Sequence, residues 1–302
     1  RGQTWFGTGD WIETKLYRLF GNLEWRYRPD WILNAGLMYE YNSITQGDFS
    51  PRLALNHHFA PGQTVRASAT RAYRTPSMLE NQPNFAIRNS TGAVIDQLYL
   101  ARNPLLPEQM TAYEIGYFGE LPGAHLIVDA KIFREEVRRH ITDTRYPTGD
   151  VYQYFVNNGV TDTNGVEAQL RWRPWTSTQL IYGHGYAHQR GQIVSSSDPS
   201  STFSTVTFTP VHTRSLMAIQ ELPGNVTASA AYYKLSNFRF GGGDPTGDFN
   251  TLDLRVAWKW RHQGTRGEVA LVGQHMTGDY YTYDRDGPFD KRFFLNLSMG
   301  FR

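Results

Sequence analysis

Apolar and polar residues alternate with a period of two along most of this chain, and a period of 3.6 is almost absent. Phe293, Leu295, Leu297, Met299 and Phe301 fall on one face of an extended segment, against Phe294, Asn296, Ser298, Gly300 and Arg302. Leu252, Leu254, Val256, Trp258 and Trp260 oppose Thr251, Asp253, Arg255, Ala257 and Lys259 in the same way. Val166 to Arg173 and Leu19 to Arg28 repeat the pattern. It predicts strands near 14–28, 31–43, 49–60, 63–73, 109–119, 125–138, 164–174, 177–188, 212–221, 225–236, 249–260, 267–276 and 291–301. Tyr152 to Asn158 is expected to extend the seventh strand past a bulge at Asn164-Gly165.

The connections alternate in length. Short turns fall at Pro29-Asp30, Pro61-Gly62, Leu121 to Gly123, Pro174 to Thr176, Leu222 to Gly224 and around Gln263-Gly264. Long ones fall at Ile44 to Asp48, Arg74 to Glu108, Arg139 to Thr163, Gln189 to Val211, Asn237 to Asp248 and Thr277 to Asp290. A soluble β-sandwich also alternates, with its charges in water. Strands of this length, however, match the roughly 9 to 11 residues of a tilted membrane strand rather than the ~5 to 6 of globular sheets. Trp and Tyr also gather at strand ends, among them Tyr39, Tyr41, Trp172, Trp175, Trp258 and Trp260. Tight turns at one end, long loops at the other and aromatic girdles predict an all-β, antiparallel up-and-down transmembrane barrel.

Composition sharpens this. Aromatic residues make up 14% of a chain whose mean hydropathy is −0.51, as expected when an apolar outer face is diluted by a polar lumen. No run approaches the roughly 20 apolar residues of a spanning helix. With 30 Lys+Arg against 28 Asp+Glu, no global basic field points to nucleic acid. The absence of cysteine excludes a disulfide framework and a thiol nucleophile. No signal-peptide pattern opens the sequence. Thirteen full strands is an odd number, whereas bacterial single-chain barrels have even counts. The expectation is therefore a cut barrel of 13 to 14 strands, residues 1–302, with further sequence upstream.

Several motifs resemble one family. Phe49-Ser-Pro-Arg-Leu-Ala-Leu, Val65 to Ser77, Asn103-Pro-Leu-Leu-Pro-Glu-Gln and Tyr113-Glu-Ile-Gly-Tyr resemble the barrel of TonB-dependent outer-membrane receptors. Phe155-Val-Asn-Asn-Gly, Gly165-Val-Glu and the strand Phe293 to Phe301 continue the resemblance in order. It covers roughly residues 14–302. The resemblance implies a barrel of about 22 strands in the bacterial outer membrane, filled by an N-terminal plug. It implies uptake of a large nutrient, most often a ferric siderophore, with energy from the TonB complex. It also implies contact with outer-membrane lipid and lipopolysaccharide, and recognition of Phe301 by the barrel-assembly machinery. No plug or TonB-box segment is present in these residues.

Candidate chemistry is sparse. His57 and His58, as strand neighbours, point to opposite faces and cannot chelate one ion together. Asp284 to Asp290 resembles a calcium loop only loosely, without the EF-hand register. Gly241-Gly-Gly-Asp lacks the Lys-Ser/Thr of a phosphate loop. No nucleophile elbow is present, so neither an enzyme nor a cofactor or metal site is expected. The stronger signal is diffuse: the long loops are rich in Tyr, Arg and His, which suit a bulky, partly anionic chelate. Tyr73, Arg74, Tyr99, His140, Arg145, Tyr146, Tyr152, His188, Arg190, Arg239, Tyr281 and Arg285 are the substrate-binding candidates. Arg71, Arg171, Arg173 and Arg255 are expected to face the lumen. The alternative reading is a self-contained passive porin or lipid channel of about 14 strands.

Overall fold

The computed structural model describes residues 3–102, 104–145, 152–194, 202–204, 209–238, 247–262, 264–278 and 290–301. After a one-turn helix α1 (Gln3–Phe6) come β1 (Leu16–Arg28), β2 (Trp31–Asn42), β3 (Gln46–Ala60) and β4 (Gln63–Arg74). A short helix α2 (Met78–Asn81) and a hairpin of β5 (Asn84–Arg88) and β6 (Val94–Leu100) follow. The chain then resumes its meander in β7 (Glu108–Leu121), β8 (Leu126–Arg145), β9 (Gln153–Trp175) and β10 (Thr178–Val194). A three-residue strand β11 (Thr202–Ser204) precedes β12 (His212–Leu222), β13 (Val226–Leu235), β14 (Phe249–His262), β15 (Thr265–Gln274) and β16 (Arg292–Gly300).

Thirteen of these strands form one antiparallel path, each hydrogen-bonded to the next long strand in the chain. All thirteen predicted strands are present; ten end within about three residues of expectation, while β8, β9 and β10 run well past it at their outer ends. Among the described residues β1 and β16 each have a partner on one side only. Among the described residues no helix is long and apolar enough to cross a membrane.

The two faces of this sheet follow from its register. One cross-strand row reads Arg66, Gly116, Lys131, Glu167, Gly185 and Thr213. The row from the neighbouring residues reads Val65, Tyr117, Ala130 and Ala168. On the polar face Arg66 lies 3.2 Å from Glu114 and 3.3 Å from Asp129, and Lys131 lies 3.4 Å from Glu114 and 3.0 Å from Glu167. That face encloses a concavity of about 910 Å³. The sheet therefore curls around its charges.

The apolar face is turned out. Leu271, Leu295 and Leu297 lie side by side and are 57%, 70% and 62% exposed. Among the described residues the buried hydrophobics are only Leu105, Ile141, Tyr154, Ala257 and Ala270. A water-soluble sandwich of this size would bury its apolar stripes against a second sheet. This wall leaves them exposed, as a barrel facing lipid does.

Three expectations change. Arg71 pairs with Thr111 and shares its face with Val65, Ala67 and Ala69, so it lies on the apolar face near the outer end of β4, not in the lumen. Arg171, Arg173 and Arg255 do fall on the polar face. No bulge forms at Asn164-Gly165; the ladder shifts register further out, at Arg139 of β8, whose φ is 57°, and at Asn158 of β9, between the pairs His140–Gly159 and Ile141–Asn157. Strand β9 runs unbroken past Gly165 because Phe133 packs its ring over that glycine. The long connections are also shorter than the pattern suggested, since β8, β9 and β10 project well beyond the rest of the wall.

Candidate functional site

At the long-connection end, the segment between β4 and β7 is folded back onto the wall. Ser77 caps α2 through a reciprocal box: its hydroxyl accepts from the Glu80 N–H at 3.2 Å, and Glu80 accepts from the Ser77 N–H at 2.7 Å. The β5–β6 hairpin turns on Asn89, whose Oδ1 accepts from the N–H groups of Thr91 and Ala93. A parallel bridge from Tyr99 to Gln153 ties β6 to the start of β9, and Tyr99 stacks on Phe155 with ring centroids 5.6 Å apart. Asn157 grips the other limb, accepting from the Leu106 N–H at 2.8 Å and donating to the Leu106 carbonyl at 2.9 Å.

These anchors converge on two carboxylates. Arg74 Nε donates to Glu108 at 2.6 Å, and its two terminal nitrogens donate to the two Glu80 oxygens at 3.0 Å each. Glu108, 9% exposed at its side chain, also accepts from the Ile141 N–H at 2.7 Å, and His140 Nδ1 lies 2.9 Å away. Beside this brace, Glu40 accepts from Arg18 at 2.6 Å and from Thr75 at 3.1 Å, while buried Asn42 donates to Thr75 at 2.7 Å. Arg74 is the last of twelve residues in β4, beyond the roughly 9 to 11 that cross a bilayer.

Burial alone would raise the Glu108 carboxyl. Arg74, His140 and the Ile141 N–H outweigh it and hold the group well below the usual carboxylate range. Glu80 is lowered as well, its burial overcome by Arg74 and the capping contacts. Hydrogen bonds to Glu108 and then Glu80 raise the Arg74 guanidinium in turn. The brace is therefore ionised and closed, and it fixes a loop framework rather than offering free charge to a ligand.

The binding candidates separate accordingly. Arg74 and His140 meet on Glu108, and Tyr99 and half-buried Tyr152 flank the bridge to β9. Tyr73 lies on the apolar face at the outer end of β4. His188 and Arg190 lie on the apolar face of β10, where Arg190 Nε donates to His188 Nε2 at 3.1 Å. Tyr146, Arg239, Tyr281 and Arg285 lie outside the described residues, as does the side chain of Arg145. Glu80 and Glu108 were missed. The Ser77-x-x-Glu80 spacing is a legible capping signature; Glu108 belongs to the Asn103 to Gln109 motif of the resemblance, but nothing local marks its role in the brace. Among the described residues no group of three His, Asp or Glu side chains is spaced to hold a metal ion.

Below the brace, the polar face carries paired charges along the concavity, which continues to Thr213, Ser215, Tyr233, Thr251 and Asp253. Further along, Arg255 pairs with Glu268, whose other oxygen lies 3.9 Å from Lys259. These half-exposed pairs contribute roughly 0 to 1 kcal/mol each. Their chief effect is a hydrated wall of nearly balanced charge.

Comparison with known proteins agrees with this geometry. The family model described as TonB dependent receptor-like, beta-barrel matches residues 3–273. The ferric enterobactin receptor of Pseudomonas aeruginosa is 26% identical over 73 residues, which is 24% of this chain and 10% of that protein. A solved mutant of the same receptor in complex with enterobactin superposes with a TM-score of 0.74 at 14% identity, over 95% of this chain and 45% of that one. The siderophore receptor PirA from Acinetobacter baumannii gives 0.69 at 12% identity, over 94% and 45% of the two chains. The copper transporter OprC gives 0.68 at 17% identity, over 95% and 49%. The chain thus spans about half the length of the solved relatives it matches. A curled antiparallel wall with apolar residues outside, paired charges inside and braced loops at one end is what this match describes, and the chain belongs to the TonB-dependent receptor β-barrel family.

Proposed function

We propose that the chain forms wall and loops of a bacterial outer-membrane receptor that takes up a ferric siderophore or a similar bulky chelate. Uptake is energised by the TonB complex through a plug seated in the lumen, and no covalent chemistry is performed on the cargo. The family match over residues 3–273 carries this reading, and relatives named for ferric enterobactin and for siderophores support the choice of cargo. Short turns lie at the periplasmic end and the braced loops outside. In this reading the cargo is bound by Tyr99, Tyr152 and Arg, Tyr and His residues of the outer loops, with Arg145, Tyr146, Arg239, Tyr281 and Arg285 as further candidates. Aromatic faces contribute area at small entropic cost, and guanidinium groups pair with anionic oxygens. Assembly proceeds through Phe301, and lipid and lipopolysaccharide surround the apolar face.

The test is radioiron uptake by cells that lack their own siderophore receptors and express the full-length gene. Uptake of a ferric siderophore that disappears on deletion of tonB is the expected result. Uptake that survives the deletion, together with ohmic conductance in planar bilayers, would replace the receptor by a passive porin.

A further inference from the structure

Midway along the polar face, Arg66, Lys131 and Arg255 each pair with a carboxylate. Two arginines near the short-turn end of β9 do not. Arg171 and Arg173 are exposed, and among the described residues neither side chain makes an ion pair or a hydrogen bond. Their neighbours in the ladder explain this. Arg171 stands between Ile127 of β8 and Ile181 of β10. Asp129, two residues further along β8, is engaged by Arg66 at 3.3 Å. Glu120 of β7 lies in the same cross-strand row as Arg171, but Ile127 comes between them, and it pairs with neither guanidinium.

The two arginines line a hollow of about 550 Å³ between the turn that follows β7 and the turn that follows β9. Elsewhere its lining is largely apolar, with Leu121, Pro122, Leu126 and Ile127, and Trp175, 67% exposed, stands at its rim. Two hydrogen bonds fix the turns to each other. The Arg173 N–H donates to the His125 carbonyl at 3.0 Å, and Trp172 Nε1 donates to the Ala124 carbonyl at 3.2 Å. The hollow is therefore built into the sheet and opens at its edge, apart from the larger concavity in the middle of the polar face. Two like charges with isoleucines as lateral neighbours add nothing to the ladder, whereas an anionic ligand would engage both.

We propose that Arg171 and Arg173 form a docking site for an extended acidic peptide, a segment of a periplasmic protein that carries carboxylates on alternate residues. Same-face residues of one strand are about 7 Å apart, and alternate side chains of an extended peptide repeat at that same distance. Each guanidinium then holds one carboxylate through its planar fork. A single small anion has one centre of charge and does not match this spacing. The apolar lining and Trp175 receive an uncharged residue beside the acids. The occupant arrives from the periplasm because the hollow opens between two short turns, and that those turns are periplasmic rests on the receptor reading.

The experiment uses the full-length receptor in detergent, titrated with fluorescein-labelled Gly-Asp-Ser-Asp-Ser-Pro-Gly and followed by fluorescence anisotropy. Saturable binding is expected, and Arg171→Ala with Arg173→Ala is expected to weaken it at least about tenfold, since charge-assisted forks are the strong class of hydrogen bond. Arg52→Ala, which removes a cation from the polar face of β3, is expected to change nothing. Gly-Asp-Asp-Ser-Ser-Pro-Gly, of the same composition with adjacent acids, is expected to bind more weakly. Arg171→Glu with Arg173→Glu is expected to lose the acidic peptide and to gain Gly-Lys-Ser-Lys-Ser-Pro-Gly, a gain that misfolding cannot produce. Absence of saturable binding by the wild type would overturn the site, as would an equal loss in Arg52→Ala. Equal binding of the two acidic peptides would overturn the alternate spacing, and displacement by equimolar inorganic phosphate would overturn the peptide assignment. Thr176→Cys, in the turn beside the hollow, reads orientation separately. In cells it is expected to react with a bulky, membrane-impermeant maleimide only after the outer membrane is permeabilised. Reaction in intact cells sinks the receptor orientation itself, whereas the expected labelling without peptide binding sinks only the site.

Discussion

Glu108 holds the outer connections together because its two oxygens join the end of β4, through Arg74, to β8, through the Ile141 N–H and His140. Glutamine keeps one acceptor oxygen, so either Arg74 Nε or the Ile141 N–H meets an amide NH2 instead of an acceptor, and the ionic part of the Arg74 contact is lost. Glu108→Gln is therefore expected to weaken the brace by about 1 to 3 kcal/mol, a figure reduced by the half-exposure of Arg74. Faster hydrogen exchange across residues 75–107, with the strand amides unchanged, is the expected readout; uniform exchange throughout would show that the brace carries no local stability. The pH dependence has a definite sign. The Glu80 and Glu108 carboxyls are both depressed in the folded wall, so they stabilise the loop fully above the ordinary carboxylate range. That protection is expected to fade as pH drops below about 4 and through the lowered values. Loop protection factors, the exchange rates corrected for the intrinsic base-catalysed rate, that fall between pH 5 and 8 would contradict it.

At the level of strands, close glycine–aromatic contacts keep a polar wall continuous. Opposite Gly165, the Phe133 ring occupies the space a side chain would take, and the Tyr186 carbonyl lies 2.6 Å from where a Cβ would sit. The ring can turn aside but the carbonyl belongs to the ladder. Gly165→Ala is expected to destabilise the β8–β9–β10 region by about 1 to 3 kcal/mol through overpacking, seen as a lower temperature for loss of heat-modifiable gel mobility. Gly123→Ala, in a turn with open space around it, is the comparison and is expected to be neutral. Equal effects would remove the packing explanation. The strand ends follow a simpler cause: Gly62, with φ at +70°, and Gly224, with φ at +78°, occupy turn positions that other residues adopt with strain.

For the whole molecule, the open edges of β1 and β16 are the decisive feature. Backbone groups left unpaired in lipid are costly enough that membrane sheets close completely. Closure either joins β1 to β16 or inserts further strands between them, and cysteine pairs separate the two cases because these 302 residues contain none. In the full-length protein Leu271→Cys with Leu295→Cys, directly opposite in β15 and β16, is expected to crosslink. Leu19→Cys with Leu297→Cys, and neighbouring pairs between β1 and β16, are expected to stay reduced, as a barrel of the solved relatives' length requires. Crosslinking of β1 to β16 as fast as the control would instead support a closed barrel of about 13 strands.

Strand number, the strand ends at the short turns and the identity of the two faces were legible in the chain itself, because a period of two is a property of each extended backbone and short Pro/Gly turns fix the register of neighbours. The same locality explains why His57 and His58 separate as expected, His57 stacking on Trp31 on one face and His58 bonding Thr64 on the other. Arg71 was misjudged for the converse reason: its charge suggested the lumen, but the parity of Val65, Ala67 and Ala69 sets its direction. The Glu108 brace was not readable in advance, since it joins positions 74, 80, 108 and 140 through loops of unrelated pattern. Arg171 and Arg173 were legible as polar-face residues, but their lack of partners was not. It follows from the register that sets Ile127 and Ile181 on either side of Arg171. Alternation along a strand determined what faces lipid and what faces water; the folded sheet alone decided which of those side chains meet, because cross-strand contact depends on register and loop closure rather than on any neighbour in sequence.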